Sequence, residues 1–173
     1  MPAILSSCTP PSEVARMITD IYLVVDTVLH FDLLLQPDNK FVAIWSTFIG
    51  KNQDVALVRF NSDGSLDADF GEAGLVTTDW GCAEYPTRAV LQPNGKIVVT
   101  GFVVCNGNTA YILARYNPDG SLDNSFGYLG KVLTELGISD TAHALGLLSD
   151  GKILVGGKLY DDPCEVFTLV RYK

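Results

Sequence analysis

The chain has two histidines, no CxxC cysteine pair, fewer basic than acidic residues, and no long apolar run. Each shortage removes a class of function. With 12 Lys and Arg against 20 Asp and Glu, the net charge is −8. Such a chain lacks the positive footprint of a nucleic-acid binder, and anionic membranes repel it. No apolar stretch reaches the ~18 residues that a membrane-spanning helix needs. Cys8, Cys82, Cys105 and Cys164 form no CxxC pair, which argues against a zinc knuckle. His30 and His143 stand without a GxSxG nucleophile motif, so hydrolysis is a distant reading. Met1 to Ser7 carries no basic segment of an export signal, which leaves an intracellular chain or one separated from its signal.

What is present is a repeat. Lys40, Lys96 and Lys152 each follow a turn, and the intervals are 96 − 40 = 56 and 152 − 96 = 56. Arg59, Arg115 and Arg171 keep the same interval, each before an aromatic residue: Phe60, Tyr116 and Tyr172. A period of this length marks a copied supersecondary unit that buries its apolar faces on its neighbours. Apolar residues make up 47% of the chain and charged ones 18%, which places it among globular proteins rather than disordered ones.

The middle copy reads as four short strands. Gly74–Trp80 is β-branched and aromatic, Arg88–Gln92 and Lys96–Val104 flank Pro93-Asn94-Gly95, and Ala110–Tyr116 follows Asn106-Gly107-Asn108. Asn-Gly tolerates the positive φ angles of tight hairpins, so the unit is an antiparallel meander. The expected units are about 28–73, 74–129 and 130–173. They follow an atypical segment, 1–27, read as a short helix capped at Ser12, a strand over Ile21–Val25, or both.

Tandem four-stranded meanders are the blades of a β-propeller. The stretch LARYNPDGSLDNSFGYLGKVLTEL, followed by LLSDGKILVGGK, resembles the delta-60 repeat family of long bacterial tandem-repeat proteins. The resemblance covers about residues 30–173. It implies a propeller-like fold and an extracellular or cell-surface location, and it brings no catalytic residues. Three blades do not close a ring of the usual four to eight. The expectation is therefore an incomplete ring closed by oligomerisation: a homodimer of six blades, or an arc completed by another blade-containing chain.

Several residues are candidates for sites. The loops Asn61–Gly71 and Asn117–Gly127 alternate oxygen ligands: Asp63, Ser65, Asp67 and Asp69, then Asp119, Ser121 and Asp123. Calcium binds such series, although these lack the mid-loop Gly and final Glu of an EF-hand; capping of their own turns is the other reading. Leu66 with Phe70, and Leu122 with Phe126, read as apolar pegs between units. Arg59 and Arg115 are placed for salt bridges to the loop aspartates that follow, whereas Arg171 has no such loop and points to a partner chain. Trp45 stands where the other copies have Gly101 and Gly157, so it is expected at a boundary unlike the internal seams, with a role in assembly.

In a meander, the connections bearing Cys82 and Cys105 emerge at one end of the blade. That pair is the expected disulfide, with Cys164 the competing partner and free thiols the alternative. Asp140 and His143 form a conceivable pair. Trp80, Tyr85, Tyr111 and Tyr128 are candidates for stacking sugars. The reading as a whole is a non-catalytic structural or recognition module that presents loops to a protein or glycan, the alternative being a lectin-like propeller. No cofactor is expected beyond the loop calcium.

Overall fold

The computed structural model describes residues 31–49, 52–161 and 163–173. The expectations for residues 1–27, Cys8 and His30 lie outside them. The described chain is all-β, with eleven strands: β1 Phe31–Leu35, β2 Phe41–Ile49, β3 Asn52–Phe60, β4 Leu75–Thr78, β5 Ala83–Leu91, β6 Ile97–Cys105, β7 Asn108–Tyr116, β8 Lys131–Thr134, β9 Ser139–Leu147, β10 Ile153–Asp161 and β11 Cys164–Tyr172.

These strands form three propeller-type blades whose ring is not closed. β1 to β4 pair in order as one antiparallel sheet. β5, β6, β7 and β8 make the second sheet, and β9, β10 and β11 the third, joined to the second by one parallel contact between Thr109 and Ser139. The turns explain the hairpins. Asn39, Gly95 and Gly151 take positive φ at the same place in three-residue turns, and Asn106 and Gly107 both take it in the two-residue turn of β6–β7.

One boundary differs from expectation. Leu75–Thr78 does not open the second blade; it pairs antiparallel with Val55–Val58 of β3 and closes the first. In space the blades are therefore 31–78, 83–134 and 139–172. Strand β4 lies at the far side of its sheet from β1, and the chain reaches it through the loop after β3.

Burial sits between the blades. At the first seam, Val42, Ile44, Val55 and Leu57 of blade one pack with Ile97, Val99, Ile112 and Tyr116 of blade two. At the second seam, Val98, Tyr111 and Leu113 pack with Ala142, Ile153 and Val155. Each fully buried aliphatic side chain contributes roughly 1.5–3 kcal/mol, so the seams carry most of the favourable burial. The strands β1, β5 and β9 meet in series along the inner edge. Side chains tie each strand to the backbone of the next: Ala89 N donates to Asp32 Oδ2 at 2.7 Å, and Thr87 Oγ1 donates to Ala142 O at 2.9 Å.

Candidate functional sites at the blade faces and seams

The inter-blade loops resolve the oxygen-rich series into turns and ion pairs. Asp63 Oδ1 accepts from Ser65 N and Ser65 Oγ, and Asp119 does the same with Ser121. Asp67 Oδ2 receives Lys40 Nζ at 2.8 Å and Arg59 Nε at 2.6 Å, while its Oδ1 accepts from Asp69 N. Asp123 repeats this with Lys96 at 2.7 Å and Arg115 at 2.6 Å. The Lys96 ammonium foremost, with Ser125 and Arg115, holds the Asp123 carboxyl well below the usual range; Lys40 does the same for Asp67. These bonds favour the capping reading of Asp63, Ser65, Asp67, Asp69, Asp119, Ser121 and Asp123 over the calcium one. Protein cations already occupy the central carboxylates of Asp67 and Asp123, and those of Asp63 and Asp119 cap their own turns.

The arginines also lie over the loop aromatics, with guanidinium carbons 4.5 Å from the rings of Phe70 and Phe126. Both phenylalanines are buried pegs, but Leu66 is 53% exposed and is not one. Arg59 Nη1 further donates to Pro118 O, so the first loop is stitched to the next one.

The two outer faces differ. On blade three, Phe167 is 74% exposed and Leu169 is 62% exposed. Their counterparts one repeat earlier, Tyr111 and Leu113, are fully buried against blade three, as Val55 and Leu57 are against blade two. Arg171 is exposed on the same face and makes no ion pair among the described residues. On blade one the exposed strip is Phe31, Leu33 and Leu35 of β1. Trp45 does not share that exposure. It is buried with Ala43, Ala56, Val58 and Phe60, on the face of blade one opposite the seam with blade two. Its glycine counterparts have a local cause. Thr87 bulges out of the β5–β6 pairing, and a Cβ on Gly101 would stand 2.1 Å from Tyr85 O. In blade one, Trp45 simply pairs with Phe31.

Cys82 and Cys105 are joined as a disulfide, with Cα atoms 5.5 Å apart, and Cys164 is free and exposed. Near that bond lies a cluster that the repeat pattern does not announce. Asp54, Asp79 and Glu84 place carboxylate oxygens within 4.8 Å of one another. Burial pushes Glu84 up to about 7; burial and the Asp79 charge raise Asp54.

The remaining candidates do not assemble. Asp140 Oδ2 accepts the Leu136 and Gly137 amides at 2.6 and 3.0 Å, while the His143 ring meets Thr141 Oγ1 at 3.1 Å, so no Asp–His pair forms. Burial, then the Lys158 and Arg88 charges, lowers the His143 pKa. Tyr111 is buried, Tyr85 stacks on Phe102, and Lys131 covers Trp80; Tyr128 is exposed.

Residues 36–70 and 92–126 match the family model of a β-propeller domain of unknown function, DUF5122. The two segments begin 92 − 36 = 56 residues apart, and each runs from the first hairpin turn of a blade to the buried peg, Phe70 or Phe126. The similarity therefore rests on the turn, two central strands and ion-paired loop described above. No curated protein matches the chain.

Proposed function

We propose that this chain is a non-catalytic structural or recognition propeller module, of the delta-60 type, that completes its ring with a second copy of itself. The observation that carries the reading is the exposure of Phe167 and Leu169, whose counterparts in both earlier blades are fully buried against the next blade. A surface that the same fold covers twice is a surface built to be covered. The Phe31, Leu33 and Leu35 strip is the apolar area offered in return. Arg171, like Arg59, then reaches across to the incoming blade. The Cys82–Cys105 bond supports an oxidising, extracellular setting.

The test is the mass in solution, by light scattering over a dilution series. Twice the chain mass is expected for the native protein, and the chain mass for a Phe167→Asp, Leu169→Asp variant with unchanged circular dichroism. A native protein that stays folded at the chain mass overturns the reading.

A further inference from the structure

The seam between blades one and two holds three acids with no cation to answer them. Val55 pairs with Thr78 at the end of the β3–β4 ladder, so the next residues outward, Asp54 and Asp79, face each other. Like charges directly opposed across two strands are destabilising. Glu84, at the start of β5, adds a third carboxylate from the neighbouring blade. Among the described residues no ion pair reaches any of the three. Lys131 Nζ bonds the Asp79 backbone carbonyl rather than its side chain.

Two of these side chains point buried oxygens at nothing. Glu84 is fully buried; its Oε1 accepts from Cys82 N at 3.2 Å, yet its Oε2 has no partner. Asp54 is 6% exposed, and its Oδ1 has none either. Asp79 Oδ1 accepts from Gly81 N, so the loop is folded to hold its carboxylate in place. A buried carboxylate oxygen left without a donor costs free energy that a structural role does not return.

The repeat shows that the fold itself does not require this arrangement. At the second seam, Ala110 replaces Asp54, and Asp140 replaces Glu84 with two loop amides on Oδ2 and its own Oδ1 unpartnered. What sets the first seam apart is the added acid, Asp54, whose buried Oδ1 has no donor.

We propose that Asp54, Asp79 and Glu84 form a divalent-cation site of the calcium type that clamps blade one to blade two. The ligand set is all oxygen, which selects hard cations. Calcium–oxygen distances of about 2.3–2.6 Å place two ligands of one ion no more than ~5 Å apart. The 4.8 Å spread of the three carboxylates meets that limit. Calcium tolerates irregular coordination, and water or backbone carbonyls complete its shell. The ion supplies the positive charge that these three carboxylates lack among the described residues.

The test uses the full chain with its disulfide intact, stripped of metal by chelator. Calcium is titrated calorimetrically, and terbium luminescence is excited through tryptophan. Trp80 is the donor, because it directly follows Asp79 in the loop that leads to Glu84. One saturable calcium site is expected, with a raised thermal midpoint and terbium emission that calcium displaces. Asp54→Asn and Glu84→Gln should each weaken binding about tenfold or more, whereas Asp63→Asn, in the exposed turn of the opposite end, should leave it unchanged. Absence of saturable binding of calcium, magnesium or manganese to the folded native protein overturns the proposal. So does calcium affinity that survives both seam substitutions. If either variant misfolds, the native titration and terbium signal decide.

Discussion

Cutting the Cys82–Cys105 bond should destabilise the protein chiefly through its unfolded state. The bond closes a loop of sequence separation 23. The chain-entropy relation gives a loss of about 2.1 + 1.5R ln 23, or ~11 cal/mol/K, hence ~3.4 kcal/mol at 25 °C. For a chain of this size that lowers the thermal midpoint by about 9 °C. The perturbation is the pair Cys82→Ser, Cys105→Ser, made with Cys164→Ser in both proteins to prevent exchange with the exposed thiol. Reduction of the unsubstituted pair is an independent second route. The assay is urea unfolding followed by circular dichroism, read for both midpoint and slope. Freed of the cross-link, the unfolded chain expands and exposes more surface, so the slope should rise as the midpoint falls. Stability within ~1 kcal/mol of the parent, with an unchanged slope, would refute the reasoning. It would show that the unfolded chain already holds these ends together.

Gly101→Ala should cost ~2 kcal/mol or more, because the new Cβ meets the Tyr85 carbonyl oxygen at 2.1 Å and the Pro86 Cα at 2.7 Å; Gly146→Ala, with nothing within 4 Å, should stay within ~0.5 kcal/mol in the same unfolding assay. Asp67 and Asp123 have folded-state pKa values lowered from 3.8. Their contribution is complete above the unfolded value and is lost as pH falls below it, so the thermal midpoint should drop steeply between pH 4 and ~2. Asp123→Asn should remove part of that drop and cost ~2–3 kcal/mol at pH 7, because it leaves Lys96 and Arg115 facing an amide; a flat acid profile in the parent would refute the assignment.

The repeat made the fold legible because each blade reuses the same turn and the same apolar strands, and blades one and two the same Arg–Asp bridge. Arg59 and Arg115 met loop aspartates because a fixed spacing of eight residues is a local property of the strand and its return loop. The disulfide was readable for a similar reason, since a meander brings alternate connections to one end. Which sheet receives Leu75–Thr78 was not readable, because a 56-residue period is unchanged by moving the boundary one strand along. Burial of Trp45 was hidden too, since Phe31 in place of Thr87 and His143 changes the partner that this position meets. The acid cluster gathers residues from β3, the β4–β5 loop and β5, so no local motif contains it. Its one signal was a departure from the repeat: Asp54 stands where the other copies have Ala110 and Val166.

That departure divides the molecule end from end. At the end reached by Arg59 and Arg115, blades one and two carry the same loop, with the same ion pair and the same buried phenylalanine. At the opposite end the repeat breaks down. Cys82 and Cys105 have Ile138 and Asp161 as counterparts, and Asp54 has Ala110. The first end is what any two adjacent blades need in order to pack, and a site there would recur at every seam. A property peculiar to this chain must come from residues that its own copies do not share. Those residues are concentrated at one end of one seam, where a covalent bond fixes the loop that carries Asp79 and leads to Glu84. Rigid strands beneath and a braced loop above are the conditions under which converging carboxylates keep their positions against their own repulsion.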